Sequence, residues 1–175
     1  MAKNTLLLVF HPHLESGSRA NKRLADAARS LDNVTVRDEY ALYPDFGIDV
    51  KAEQEALLKA DRVVWQFPFY WYSTPALLKQ WEDLVLEHGW AYGHGGDKLH
   101  GKELQLAITV GGAKSKYTHE GEFGVTGPEL LKPLETTAKH VGMTFVKPFA
   151  IHGMLSITDE QLDEEVQRYV RLLSE

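Results

Sequence analysis

The chain has 175 residues and a formal net charge of −6, which is one ordinary domain with an acidic balance poorly matched to a nucleic-acid backbone or an anionic membrane. Hydrophobic residues make up 43% and charged residues 25%, a globular ratio that argues against disorder. Cysteine is absent, which excludes a disulfide scaffold, a zinc–thiolate site and a thiol nucleophile. From the amino end, Leu6–Phe10 is a continuous apolar run, the pattern of a strand covered on both faces. It is too short to cross a bilayer and has no cleavage site after it, so a cytoplasmic location is expected. Ser18–Leu31 carries Leu24, Ala27, Ala28 and Leu31 at helical spacing. Val34–Val36 reads as a short strand, Val50–Ala60 as a helix, and Arg62–Phe67 as a third strand. Pro75–Leu86 reads as a helix that opens on proline and carries Leu77, Leu78, Trp81, Leu84 and Val85 on one stripe. A glycine-rich loop spans Glu87–Lys102. Leu104–Val110 is a strand, Ala113–Thr126 a loop, Pro128–Val141 a helix and Phe145–Ile151 a strand. The last helix, Thr158–Leu173, begins on the capping-box pattern Thr158-Asp159-Glu160-Gln161.

Strands and helices alternate throughout, which predicts a single α/β domain over residues 1–175. The expected architecture is a three-layer sandwich with a five-stranded parallel sheet, and the order 2-1-3-4-5 suits five strands. In such a fold ligands bind beyond the carboxyl ends of the strands, and that rule selects three segments. After the first strand, Phe10-His11-Pro12-His13 leads through Ser16, Ser18, Arg19, Ala20 and Asn21 into a helix start. Hydroxyls, an arginine and free helix amides together suit a phosphate, although Ser18 would equally serve as an ordinary N-cap. The spacing is neither a Walker A loop nor G-x-G-x-x-G. After the third strand, Pro68, Phe69, Tyr70, Trp71 and Tyr72 crowd one loop. Such rings stack on a flat ligand, bury a partner surface, or cluster beneath another loop. After the fourth strand, Thr109-Val110-Gly111-Gly112 lets the backbone approach a ligand closely. His11 and His13 lie near one another, but without cysteine or a His-Glu-x-x-His pattern no metal site is expected. No G-x-S-x-G elbow of a serine hydrolase is present.

Taken together, these segments resemble the flavodoxin-like NAD(P)H:quinone oxidoreductases, the DT-diaphorase-like family. The likeness is nearest to its short bacterial branch, which includes ancillary subunits of glutathione-gated potassium efflux systems. Gln66-Phe67-Pro68 through Pro75-Ala76-Leu77-Leu78-Lys79-Gln80-Trp81 carries it most specifically. Phe10-His11-Pro12, Ser18-Arg19-Ala20-Asn21-Lys22-Arg23 and Thr109–Gly112 support it. The resemblance implies FMN as cofactor, with FAD the runner-up, and NADH or NADPH as electron donor. It implies two-electron ping-pong hydride transfer through the flavin to a quinone or similar acceptor. Under it, His11, Ser18, Arg19, Ala20 and Asn21 hold the phosphate end. Pro68, Phe69, Tyr70, Trp71 and Tyr72 line the ring, and Thr109, Val110, Gly111 and Gly112 meet its polar edge. It further implies a homodimer with the flavin at the subunit contact, for which the aromatic loop and the loop holding Trp90 and Tyr92 are candidates. Tyr117 matches the family's catalytic tyrosine. Phe123 stands where the partner histidine is expected, and His119 lies close by at another offset. Two alternatives carry different expectations. One is a regulatory subunit of a potassium efflux antiporter, peripheral at the inner face of the membrane through that partner. The other is a one-electron flavodoxin carrier.

Overall fold

The computed structural model describes residues 2–175. The strands are β1 (Thr5–Val9), β2 (Val34–Asp38), β3 (Arg62–Pro68), β4 (Glu103–Thr109), β5 (Thr144–Phe145) and β6 (Phe149–Ile151). The helices are α1 (Leu14–Gly17), α2 (Ala20–Ala28), α3 (Glu39–Leu42), α4 (Val50–Leu58), α5 (Ala76–Val85), α6 (Gly127–Leu130), α7 (Lys132–His140) and α8 (Asp159–Leu173). The sheet runs β2-β1-β3-β4-β5, with β6 also on β4, and every pairing is parallel. This is the expected flavodoxin-like order with one change: the predicted last strand is broken in two. Leu104 pairs with Phe145 and Ala107 with Phe149, so the outer strand spends one residue more than β4 over that stretch. Pro148, which has no N–H to give the ladder, sits in the break.

Alternation on the inner strands builds two cores. Leu6, Leu8, Phe10, Val63, Trp65 and Phe67 face the layer of α4, α5 and α7. Leu7, Val9 and Val64 face α2 and α8, against Leu24, Leu162 and Tyr169. Helix α5 buries Leu77, Leu78, Trp81 and Val85. Leu84, assigned to the same stripe by spacing, lies at its edge and is partly exposed. Trp81 packs edge-on against Phe10 and Trp65, with centroids at 6.2 and 5.7 Å.

Three further segments depart from the sequence expectation. The helix after the first strand is shorter, and the loop before it forms the four-residue α1. The predicted helix over Pro128–Val141 is two helices meeting at Leu131, because Pro133 cannot continue the hydrogen bonding of the preceding turn. A short helix, α3, follows β2, with Asp38 accepting from the Ala41 amide at its start. The capping box at Thr158 is present as expected.

Candidate functional site

The carboxyl ends of β1, β3 and β4 lie side by side, so the three predicted segments meet at one edge of the sheet. In the first of them, α2 begins with Arg19 at its N-cap and no side chain bonded to its first amides. Ser18 is therefore not an N-cap. The first turn of α2 carries no acidic residue, and uncapped amides at a helix start favour an anion. The Arg19 guanidinium is turned to α8, donating to the Ile157 carbonyl at 2.9 Å and to Asp159 at 2.8 Å. His11 is buried, and its Nδ1 accepts the His13 amide at 3.1 Å. Burial and the neighbouring His13 hold the His11 pKa below its ordinary value.

The second segment is a hairpin. Tyr70 and Ser73 exchange both backbone hydrogen bonds, at 3.2 and 2.9 Å. Between them Trp71 (φ 47°) and Tyr72 (φ 62°) are both left-handed, the φ signature of a type I′ turn without glycine or asparagine. Bulky side chains pay steric strain there. Trp71 is 91% exposed, and Tyr70 and Tyr72 are also exposed. Phe69 instead turns inward, toward the core and Tyr117. Trp90 and Tyr92, the other candidates for a subunit contact, are partly buried in their own chain, with Tyr92 against His88 and His140.

At the third segment, a Cβ on Gly112 would lie 3.3 Å from Tyr117 Cε2 and 3.5 Å from its hydroxyl. Glycine thus lets the tyrosine lie directly on the strand end. Burial raises the Tyr117 pKa, with Tyr72 adding to it, so the phenol remains a hydrogen-bond donor at neutral pH. Its ring neighbours are Phe69 at 6.4 Å, Phe123 at 5.1 Å and His152 at 5.8 Å. Phe123 also meets Tyr72 at 5.1 Å, and so links the hairpin to the tyrosine loop. His119 instead holds Glu129 at 2.9 Å. The Thr126 amide and hydroxyl donate to the same carboxylate, and these bonds together with His119 lower the Glu129 pKa to about 2.

Beneath the edge runs a buried polar chain. The Tyr169 hydroxyl donates to Gln66 Oε1 at 3.1 Å, and Gln66 Nε2 donates to the Asn21 carbonyl at 2.9 Å. Asn21 Nδ2 donates to Thr109 Oγ1 at 2.8 Å. Two residues expected at the cofactor therefore tie α2 to β4 through their side chains. Asn21→Ala should lower stability by about 1–3 kcal/mol, because it leaves buried polar groups unpaired. A urea denaturation midpoint equal to the wild-type value would show that the network contributes nothing.

Beside the hairpin, a groove of about 560 Å³ runs between α5 and α7, lined by Phe69, Thr74, Tyr92, Leu134 and His140. Glu82 also lines it, and burial pushes its pKa up to about 7.

A family profile described as a flavodoxin-like fold matches residues 3–173. The uncharacterized NAD(P)H oxidoreductase YrkL of Bacillus subtilis (strain 168) is 49% identical over 169 residues, 97% of each chain. General stress protein 14 of Treponema denticola, solved in complex with FMN, is 40% identical with a TM-score of 0.87, over 97% of this chain and 95% of that one. A structure described as an NADPH-quinone reductase from P. pentosaceus is 31% identical with a TM-score of 0.88, over 97% of each chain.

Proposed function

This chain belongs to the flavodoxin-like NAD(P)H:quinone oxidoreductases, and from that premise we propose that it is an FMN-dependent enzyme passing hydride from NADH or NADPH to a quinone by a two-electron ping-pong sequence. The observation that carries the proposal is the meeting, on one sheet edge, of an uncapped helix start and an exposed aromatic hairpin. The residues fit the cofactor in kind: amides for its phosphate, rings for its flat face, and a protonated tyrosine against a Gly-Gly strand end for its polar edge. When bound, the flavin supplies the hydride relay.

The chain's own residues do the rest. The amides of Ala20 and Asn21, with Ser18 beside them, hold the anion. Tyr70, Trp71 and Tyr72 exclude water from the ring, which strengthens every polar contact made there. The Tyr117 hydroxyl, protonated at neutral pH, is the donor toward the edge where negative charge develops. In the proposed homodimer, Trp71 and Leu155, each 91% exposed, lie in the subunit contact. No helix among the described residues is long and apolar enough to cross a membrane.

The purified protein is expected to bind FMN at micromolar concentration or tighter and to reduce quinones with at least one nicotinamide. Double-reciprocal plots at several quinone concentrations should be parallel, since donor and acceptor occupy the site in turn. Intersecting lines would reject the ping-pong order. Failure to bind either FMN or FAD would reject the flavoenzyme reading altogether.

A further inference from the structure

We propose that His152, on the turn after β6, is the positioning residue for Tyr117. The inference rests on reading this sheet edge as the flavin site, but its structural half stands on the apoprotein alone. Three backbone bonds clamp the turn to the Gly-Gly segment. The Val110 amide donates to the Ile151 carbonyl at 2.8 Å, the Gly153 amide to Gly112 at 2.9 Å, and the Met154 amide to Val110 at 3.1 Å. They bracket His152 on both sides, so its backbone is fixed against the strand end on which Tyr117 lies. From there the imidazole meets the phenol ring edge-on, at 5.8 Å between centroids and 63° between planes. Phe123, the residue at the position expected for a histidine, meets the same ring at 5.1 Å. An apolar and a polar ring thus hold Tyr117 together, and the polar one comes from a different loop.

His152 is also the one ring of this set that can gain a charge near neutral pH. Burial opposes its protonation, and the charge of Lys114, from the turn after β4, acts in the same direction. His152 also lines a hollow of about 460 Å³ with Gln161, Glu164 and Glu165 of α8. The imidazole therefore touches the tyrosine and also borders a hollow walled by α8. Its pKa is thus held below the ordinary histidine value. A charge gained beside Lys114 changes the ring contact that places Tyr117.

The test uses His152→Gln, which keeps a donor and an acceptor but cannot take charge, and His152→Ala, which removes the contact. In the apoprotein, NMR should show the Tyr117 ring signals moving with the His152 titration, at a midpoint below 6.5. In His152→Gln those signals should stay fixed over the same range. In the FMN-loaded enzyme, His152→Ala should lower kcat roughly tenfold, the scale of a misplaced catalytic group, with the quinone KM within about twofold. The acid limb of the wild-type kcat profile should be missing in His152→Gln. Tyr117 signals that ignore His152 and move instead in His119→Ala would overturn the assignment, as would full kcat in His152→Ala. If the wild-type chain binds no flavin, the functional reading fails, while the apoprotein titration still decides whether the two rings are coupled.

Discussion

At pH 8.5, Glu39→Gln should be more stable to urea than the wild-type chain by roughly 2–4 kcal/mol, and near pH 4.5 the two should be about equal. Glu39 begins α3 and is fully buried, yet neither carboxylate oxygen has a hydrogen-bond partner among the described residues. Its nearest cation is Arg37, with Nε 3.4 Å away. That guanidinium is already committed to Glu53, a second buried carboxylate, which also accepts from the Tyr43 hydroxyl at 2.6 Å and from Trp81 Nε1 at 2.9 Å. Two carboxylates share one arginine, and the one without donors takes the proton. Burial, reinforced by the charge of Glu53, raises the Glu39 pKa from 4.5 to about 8.

The folded chain holds the Glu39 proton more tightly than the unfolded chain does. Below about pH 4.5 both states carry the proton, and the group imposes no penalty. As pH rises from there to about 8, folding requires proton uptake, so stability falls throughout that window and the full penalty remains above it. Glutamine resembles the protonated form and does not titrate, so the variant loses this slope. Glu82, whose pKa is also raised, to about 7, contributes to both proteins and cancels in the difference. Parallel pH profiles for the two proteins would show that Glu39 is ionised and paired across the whole range.

Local signals carried most of the fold into the sequence. Leu6–Phe10 reads as a doubly covered strand because alternate residues feed two different cores, which leaves no polar face. The stripe on α5 and the capping box at Thr158 are written within one helix each, and both are present. What was not legible depends on contacts across the chain. The raised pKa of Glu39 comes from its burial and from Glu53, on an element that only the tertiary fold brings to it. The commitment of Arg19 to Asp159 spans 140 residues, so no local pattern could withdraw it from the phosphate group. His152 carried no motif, and its meaning comes only from the β4–β6 pairing that sets it against Gly112. The aromatic hairpin was half legible: its rings stood out as ligand-edge residues. Its turn geometry did not, because neither central residue is of a type that favours positive φ.

Replacing Trp71-Tyr72 by Asn-Gly should raise the stability of the chain while reducing its affinity for FMN. Each left-handed non-glycine residue stores about 1–2 kcal/mol of backbone strain, and Asn-Gly is the sequence that a type I′ turn favours. Against this gain stands the lost contact of Tyr72 with Phe123, worth about 0.5–1.5 kcal/mol. Trp71, at 91% exposure, gives up almost no packing in the isolated chain. The net gain expected in urea denaturation of the apoprotein is about 1–2 kcal/mol. FMN affinity should drop at least about tenfold, the scale of a lost aromatic platform. Strained backbone of this kind clusters where side chains must be held for a purpose, and here it holds exposed rings at the carboxyl edge of the sheet at a cost in stability. Trp71→Asn alone separates the contributions, because it keeps Tyr72 on Phe123 while relieving one strained residue. If the double variant is less stable than wild type, the turn is held by contacts that outweigh its strain. If it binds FMN as tightly as wild type, the hairpin is no platform, and its exposed tryptophan serves the subunit contact alone.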